Sequence, residues 1–330
     1  MATRPKSKPM IVTDAHVDTL ILQQVREDPI DLAVPSSVYD QDLPRLRKGG
    51  VNCLFCMVGD NDLAQSSLLI DAVYEMCRKH PKDFALCLSA GEVRAACDAG
   101  KVAIVLTIEG QKMFGETVGH LRNWHRLGVR VASFSHGGGG RPELQYDSAH
   151  FGYLDPTARE RLRRHARGLT PFARESLQEM GKLGLAIDVA HLNDAAFWDV
   201  MELAECPVCY THGCCYSISG HTRGLTDEMM KALAKKGGVM GLSFWPGFID
   251  PKNPTLDRLC DHFLHALEVA GPDCVGIGSD FDGCSGYWEM VPSGPEGFPK
   301  LLDALRGRGV DEATIRKIAG ENFLHVLPEG

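Results

Sequence analysis

The chain has 330 residues, of which 44% are hydrophobic, and a net charge of −8. That length allows one large domain or two medium ones, with enough apolar material for a sizeable core. The acidic balance argues against a nucleic-acid surface, and no apolar run is long enough to suggest a membrane span.

The N-terminal "MATRPKSKPM" is basic but runs straight into a short strand, without the apolar stretch of a signal peptide. A cytoplasmic location is therefore expected. The first strand, "MIVTDAH" (10–16), ends on His16, with Asp18 two positions further on. Residues i and i+2 share a strand face, so the two side chains project together. This suits two ligands of one metal, and equally an ordinary His–Asp hydrogen bond. "GVNCLFCMV" (50–58) reads as the second strand. Residues 59–100 exceed a simple connection and predict a long helix, "AQSSLLIDAVYEMCRKH", and a second short one. "KVAIVLTIEG" (101–110) carries Glu109 at its end, and "GVRVASFSH" (128–136) ends on His136.

A second long connection, 137–169, opens with the glycines Gly137–Gly140 and contains the basic run "RERLRRHAR" (159–167). The run reads as a solvated helix face. The connection is expected to cover the mouth of the fold or to meet a partner subunit. The helix "TPFARESLQEMGKLG" has Thr170 as N-cap and Pro171 at its first position. "GLAIDVAH" (184–191) ends on His191, "CPVCYTH" (206–212) on His212 and "DCVGIGSD" (273–280) on Asp280, with "GGVMGLSF" (237–244) as the seventh strand. Most of the eight strands are continuous apolar runs, as in parallel sheets buried on both faces. Eight strand–helix repeats predict a single-domain (β/α)8 TIM barrel over residues 1–330, with insertions after strands two and four. A doubly wound open sheet is the runner-up, weakened by the lack of a G-x-G-x-x-G turn after strand one.

Active sites of such barrels form at the C-terminal strand ends. Seven metal-type or acid–base side chains would meet there: His16, Asp18, Glu109, His136, His191, His212 and Asp280. Imidazoles and carboxylates without thiolates suit Zn²⁺ or a similar divalent ion. Three His, one Asp and a central Glu suffice for two metals bridged by Glu109. Such a site lowers the pKa of a bridging water, polarises a carbonyl, and leaves Asp280 to move the proton. Asp282 is the weaker candidate for that role. His120, His125, His262 and His265 lie on helices, away from strand ends. The twelve cysteines read as reduced thiols. Cys53/Cys56 and Cys206/Cys209 sit within strands, where i and i+3 face opposite sides, so neither pair makes a zinc knuckle. Cys214 and Cys215 lie beside a candidate ligand.

The motifs "DAHVD", "TIEG", "GLTPFARESLQEMGKLGLAIDVAH", "THGCCYSISGHTR" and "VGIGSDFDG" together resemble the membrane (renal-type) dipeptidases, peptidase family M19 of the amidohydrolase superfamily. The resemblance covers nearly the whole chain. It implies a binuclear zinc dipeptidase acting through a metal-bridging hydroxide on small dipeptides, L-Xaa-Xaa and also L-D. His16 and Asp18 would bind one Zn²⁺, His191 and His212 the other, with Glu109 bridging. Asp280 would shuttle the proton, His136 would contact the substrate and the developing oxyanion, and Arg223 of "GHTRG" would pair with the substrate's terminal carboxylate. A homodimer is also implied.

The chain departs from the family pattern around the substrate. Four glycines follow His136. Ala190 replaces a Ser, Gly213-Cys214 a Ser-Ser pair, Gly224 an Asn and Trp245 a Tyr. Two alternatives therefore stand beside the dipeptidase: an amidohydrolase for N-acyl amino acids, another small amide or a lactone, and a barrel that binds without catalysis.

Overall fold

The computed structural model describes residues 9–22, 31–59, 62–136, 144–284 and 294–330. Its strands are β1 Thr13–Val17, β2 Cys53–Met57, β3 Phe84–Leu86, β4 Val102–Glu109, β5 Val129–Ser133, β6 Ala186–Asp188, β7 Val208–Gly213, β8 Val239–Leu242 and β9 Val275–Ile277. The order β1-β2-β4-β5-β6-β7-β8-β9 is parallel throughout, and β3 pairs with the start of β4. β9 returns to β1 through a parallel bridge between Val17 and Phe281. The backbone bonds Asp280 N to His16 O (3.1 Å) and Asp18 N to Phe281 O (3.0 Å) complete that seam. Eight parallel strands with helices between them thus form a nearly closed (β/α)8 barrel.

Local chemistry explains the elements. Thr170 caps the helix Pro171–Leu183 through Ala173 N, and Gly184 ends it in the left-handed conformation at φ 66°. The 59–100 connection holds the two expected helices, Leu63–Lys79 and Ala90–Asp98. It also holds β3, a strand too short for its three residues to carry a periodic signal. Side chains of Cys53, Phe55, Ala103, Val105, Val131 and Val239 pack with the C-terminal Phe323, whose ring lies 5.8 Å from that of Phe55. The C-terminal segment thus closes the barrel floor, and chemistry is left to the other end.

Two irregularities aim the strands there. β1 pairs Asp14 with Leu54 and then Val17 with Cys56, so Ala15 and His16 together oppose Phe55. β7 pairs Tyr210 with Met240 and then Gly213 with Leu242, so Thr211 and His212 together oppose Gly241. A bulge of this kind re-aims a side chain. It turns His16 and His212 toward the position that Glu109 occupies on β4. Space for the β7 bulge comes from two glycines. A Cβ at Gly241 would lie 1.9 Å from Thr211 O, and one at Gly278 would lie 1.8 Å from the same atom.

Gly241→Ala is expected to destabilise the fold by roughly 3 kcal/mol, an overpacking cost against backbone. Gly307→Ala, with open space at its Cβ, is expected to be neutral or slightly stabilising. Urea unfolding of both variants checks this, and equal midpoints would remove the proposed role of the glycine.

Candidate active site

Glu109 is buried at the last position of β4. Its Oε2 lies 3.6 Å from His16 Nε2 and 3.9 Å from His136 Nε2. Its Oε1 lies 3.1 Å from His191 Nε2 and 3.9 Å from His212 Nε2. Asp18 Oδ2 is 3.4 Å from His16 Nε2. Each oxygen of one carboxylate therefore faces its own set of donors. Donor atoms of His16, His212 and Asp280 also lie within 4.8 Å of one another.

The supporting residues fix the rings. Asp188, the last residue of β6, accepts from Thr211 Oγ1 at 2.5 Å and from Thr211 N at 3.0 Å. Thr211 Oγ1 in turn stands 3.0 Å from His212 Nδ1 and 3.3 Å from His16 Nδ1. With its own proton committed to Asp188, that hydroxyl accepts Nδ1–H from both rings. The Nε2 atoms are thereby left facing Glu109. Asp14 ties β1 to the end of β9 through Ser279 N (2.8 Å) and Ser279 Oγ (2.5 Å). His191, Asp280 and Asp282 have φ of 64°, 67° and 65° and are the only non-glycine residues at positive φ among those described. Such conformations cost free energy and gather at functional sites.

The electrostatics are divided in the same way. Burial disfavours a charged His16, but Asp18 and Glu109 outweigh it and lift the ring to about 10. Burial together with Arg223 pushes His191 down to about 3. Burial and His16 hold His212 well below its usual range. Burial opposes ionisation of Glu109, yet His191, His136 and His16 keep it well below the usual carboxylate range. Burial lifts Asp280 to about 7, with His16 pulling the other way.

This donor set fits divalent cations. The Nε2 atoms of His191 and His212 converge to 3.1 Å, and Glu109 Oε1 is buried without a hydrogen-bond donor. A cation already leans on these nitrogens. Arg223 Nη1 lies 2.8 Å from His191 Nε2, and Nη2 lies 3.0 Å from His212 Nε2. A metal ion taking those lone pairs would release the guanidinium for an anionic partner. Among the described residues no carboxylate forms an ion pair with Arg223, and its Nε has no acceptor.

The cluster gathers His16, Asp18, Glu109, His191, His212 and Asp280, with Arg223 against it. His136 stands at the edge, its side chain 42% exposed, and Gly137–Gly140 lie outside the described residues. Strand ends were expected to deliver these side chains directly. Instead β5, β6 and β9 stop three residues before His136, His191 and Asp280, and the last two are delivered by left-handed turns. Asp282 accepts from Thr19 Oγ1 and from Asp40 N (2.9 Å), so it secures the rim. His262 is a buried structural residue, bonded to Cys215 N (3.0 Å) and Ile249 O (2.8 Å). The basic run is the expected solvated face at Arg161, Arg163, Arg164 and Arg167, which are exposed, and Arg159 alone departs from it. It turns inward onto Asp194 (2.8 and 2.9 Å) and Gly224 O (2.8 Å).

Sequence reasoning missed Asp188 and Thr211. The signal was available: an Asp three residues before His191 in "IDVAH" and a Thr directly before His212. Two departures also have packing reasons. A Cβ at Gly213 would overlap the Tyr210 hydroxyl, which bonds Arg223 O. A Cβ at Gly224 would lie 2.6 Å from Tyr216 N.

Comparison with known proteins places this geometry. The family model for membrane dipeptidase (peptidase family M19) matches residues 4–330. Among solved structures, a dipeptidase described as an M19 metallopeptidase is 25% identical, with 96% of this chain and 98% of that one covered and a TM-score of 0.83. A metallopeptidase from Rhodobacter sphaeroides, liganded with a phosphinate mimic of L-Ala-D-Ala, is 23% identical, with 96% and 98% covered and a TM-score of 0.82. The probable dipeptidase PvdM from Pseudomonas aeruginosa is 19% identical, with 96% and 94% covered and a TM-score of 0.79. Among the described residues no helix is long and apolar enough to cross a membrane.

Thr211→Val keeps the shape of the side chain and removes the acceptor for both Nδ1–H groups. It is expected to weaken Zn²⁺ binding about ten- to a hundredfold, measured by competition with a chromophoric chelator. Unchanged affinity would mean that the Asp188–Thr211 pair does not orient the rings.

Proposed function

The chain belongs to the membrane dipeptidase family, peptidase family M19, and we propose that it is a binuclear zinc dipeptidase for small L-Xaa-Xaa dipeptides that also accepts a D-residue on the C-terminal side. Family membership makes it a metal-dependent hydrolase acting on peptide bonds. The observation that carries the finer reading is the division of Glu109, with Oε2 toward His16 and Oε1 toward His191 and His212.

In this reading His16 and Asp18 hold one cation, His191 and His212 hold the other, and Glu109 serves both. The pair of cations, when bound, supplies Lewis-acid polarisation of the scissile carbonyl and a water acidic enough to attack at neutral pH. Arg223 binds the terminal carboxylate of the dipeptide and so fixes which bond lies over the cluster; a guanidinium fork suits that partner. His136, at the exposed edge beside Glu109, donates to the carbonyl oxygen as charge develops on it. Asp280, lifted to about 7 by burial, accepts a proton from the attacking water and delivers it to the departing amine nitrogen. Tolerance of a D-residue draws support from the related R. sphaeroides structure, which holds a mimic of L-Ala-D-Ala.

Zinc-loaded protein is expected to hydrolyse L-Ala-L-Ala and L-Ala-D-Ala faster than N-acetyl-L-alanine. Asp280→Asn is expected to keep its metal and lose at least about a hundredfold in kcat. Turnover of the N-acyl compound alone would assign the protein to the amidohydrolase alternative. Full activity in Asp280→Asn would remove that residue from the mechanism.

A further inference from the structure

The insertion between β5 and β6 is stitched to the rim beside Arg223. Thr222 N donates to Gly152 O at 2.8 Å, and Leu154 N donates to Gly220 O at 3.2 Å. Thr222 Oγ1 reaches His150 O at 2.7 Å, and Tyr153 OH reaches Gly247 O at 2.5 Å. This ordered strip holds the ring of Phe151 with 52% of the residue exposed. The ring lies 4.8 Å from His221, 5.9 Å from Trp245 and 6.3 Å from Phe248. Trp245 and Phe248 meet edge to face at 4.6 Å. His221 and Phe248 are buried and form the floor, while Phe151 and Trp245 stand above it.

Arg223 joins this wall to the reacting centre. Its Cζ is 5.4 Å from the centre of the Phe248 ring, and its other side contacts His191 and His212. Its Nε is buried without an acceptor. A carboxylate held by Arg223 carries its Cα one bond away and its Cβ two bonds away. The side chain of that residue therefore begins within reach of the rings. The wall offers apolar faces and, among the described residues that form it (Phe151, His221, Trp245 and Phe248), no carboxylate, and the adjacent guanidinium repels a cationic side chain. A half-exposed phenyl ring on a fixed strip gains most from an apolar group that covers it.

We infer that Phe151, Trp245 and Phe248 form a subsite for a large apolar, above all aromatic, side chain on the residue bearing the terminal carboxylate. The preferred substrates are then dipeptides ending in Phe, Tyr or Leu, in preference to Gly, Asp or Lys. This rests on the assignment of Arg223 to the substrate carboxylate, and it assigns a role to an insertion residue that no catalytic argument uses.

The test compares zinc-loaded wild type, Phe151→Ala and Phe151→Leu on L-Ala-L-Phe and L-Ala-Gly, with N-acetyl-L-Phe and N-acetyl-Gly run in parallel. Wild type is expected to favour Phe over Gly at least about tenfold in kcat/KM, mainly through KM. Phe151→Ala is expected to lower that ratio several-fold, and Phe151→Leu to retain part of it. Calorimetric titration is expected to show the product L-Phe binding more tightly than Gly, with Phe151→Ala removing most of the difference. A ratio unchanged by Phe151→Ala, or a preference for L-Ala-Gly, overturns the subsite. If only the N-acyl pair is turned over, the dipeptidase reading fails, and the Phe/Gly ratio on that pair still decides the subsite in the same way. Melting temperatures of both variants confirm that they are folded.

Discussion

A carboxylate buried at the end of a central strand is the constraint from which the rest of this site follows. An isolated anion in that position would cost many kcal/mol and would simply be protonated. Glu109 stays ionised because His16, held in its charged form, stands against it. Its two oxygens point to different sets of donors, which is the arrangement the proposed two-cation site requires. The strands must then deliver histidines to fixed points around it. Bulges in β1 and β7 do this for His16 and His212, and the Asp188–Thr211 pair orients both rings. Left-handed turns deliver His191 and Asp280. The conformational cost of those turns is borne by a barrel whose floor is packed by the C-terminal segment.

Much of this was legible from spacing alone. Eight apolar runs, each followed by a helical pattern, specify a parallel barrel because chain topology leaves few alternatives. Side chains placed at the ends of those runs must share one face, so His16, Glu109, His191, His212 and Asp280 could be grouped before any coordinates. What stayed hidden depends on contacts rather than on period. A bulge adds one residue to a strand without leaving a trace in hydropathy, so the double step Ala15–His16 could not be read. Arg159 looks like the other arginines of its helix, and only its meeting with Asp194 turns it inward. Asp188 and Thr211 were visible as residues, but their role depends on β6 and β7 being neighbours in register.

The substrate side of the site has a different character from the metal side. Ligand positions are set by rigid strands, whereas the wall that would grip a substrate is built from the rim: residues 150–154, His221, Trp245 and Phe248. Of the departures from the family pattern, Trp245 belongs to this wall, and Gly224 adjoins Arg223 beside it. Some of them are compensated locally, as where the Tyr210 hydroxyl fills the space above Gly213 and supports the backbone of Arg223. The arrangement separates two tasks. The barrel fixes the reaction class, and in the proposed reading the rim selects what is presented to it.

The most direct test of the central claim is the magnetic state of the protein reconstituted with Mn²⁺ and read by electron paramagnetic resonance. If Glu109 joins two half-sites, the saturated wild type holds two ions per chain and gives a spin-coupled spectrum, and Glu109→Gln loses that coupling. A saturated wild type showing one ion per chain, with the six-line spectrum of isolated Mn²⁺, would contradict the account.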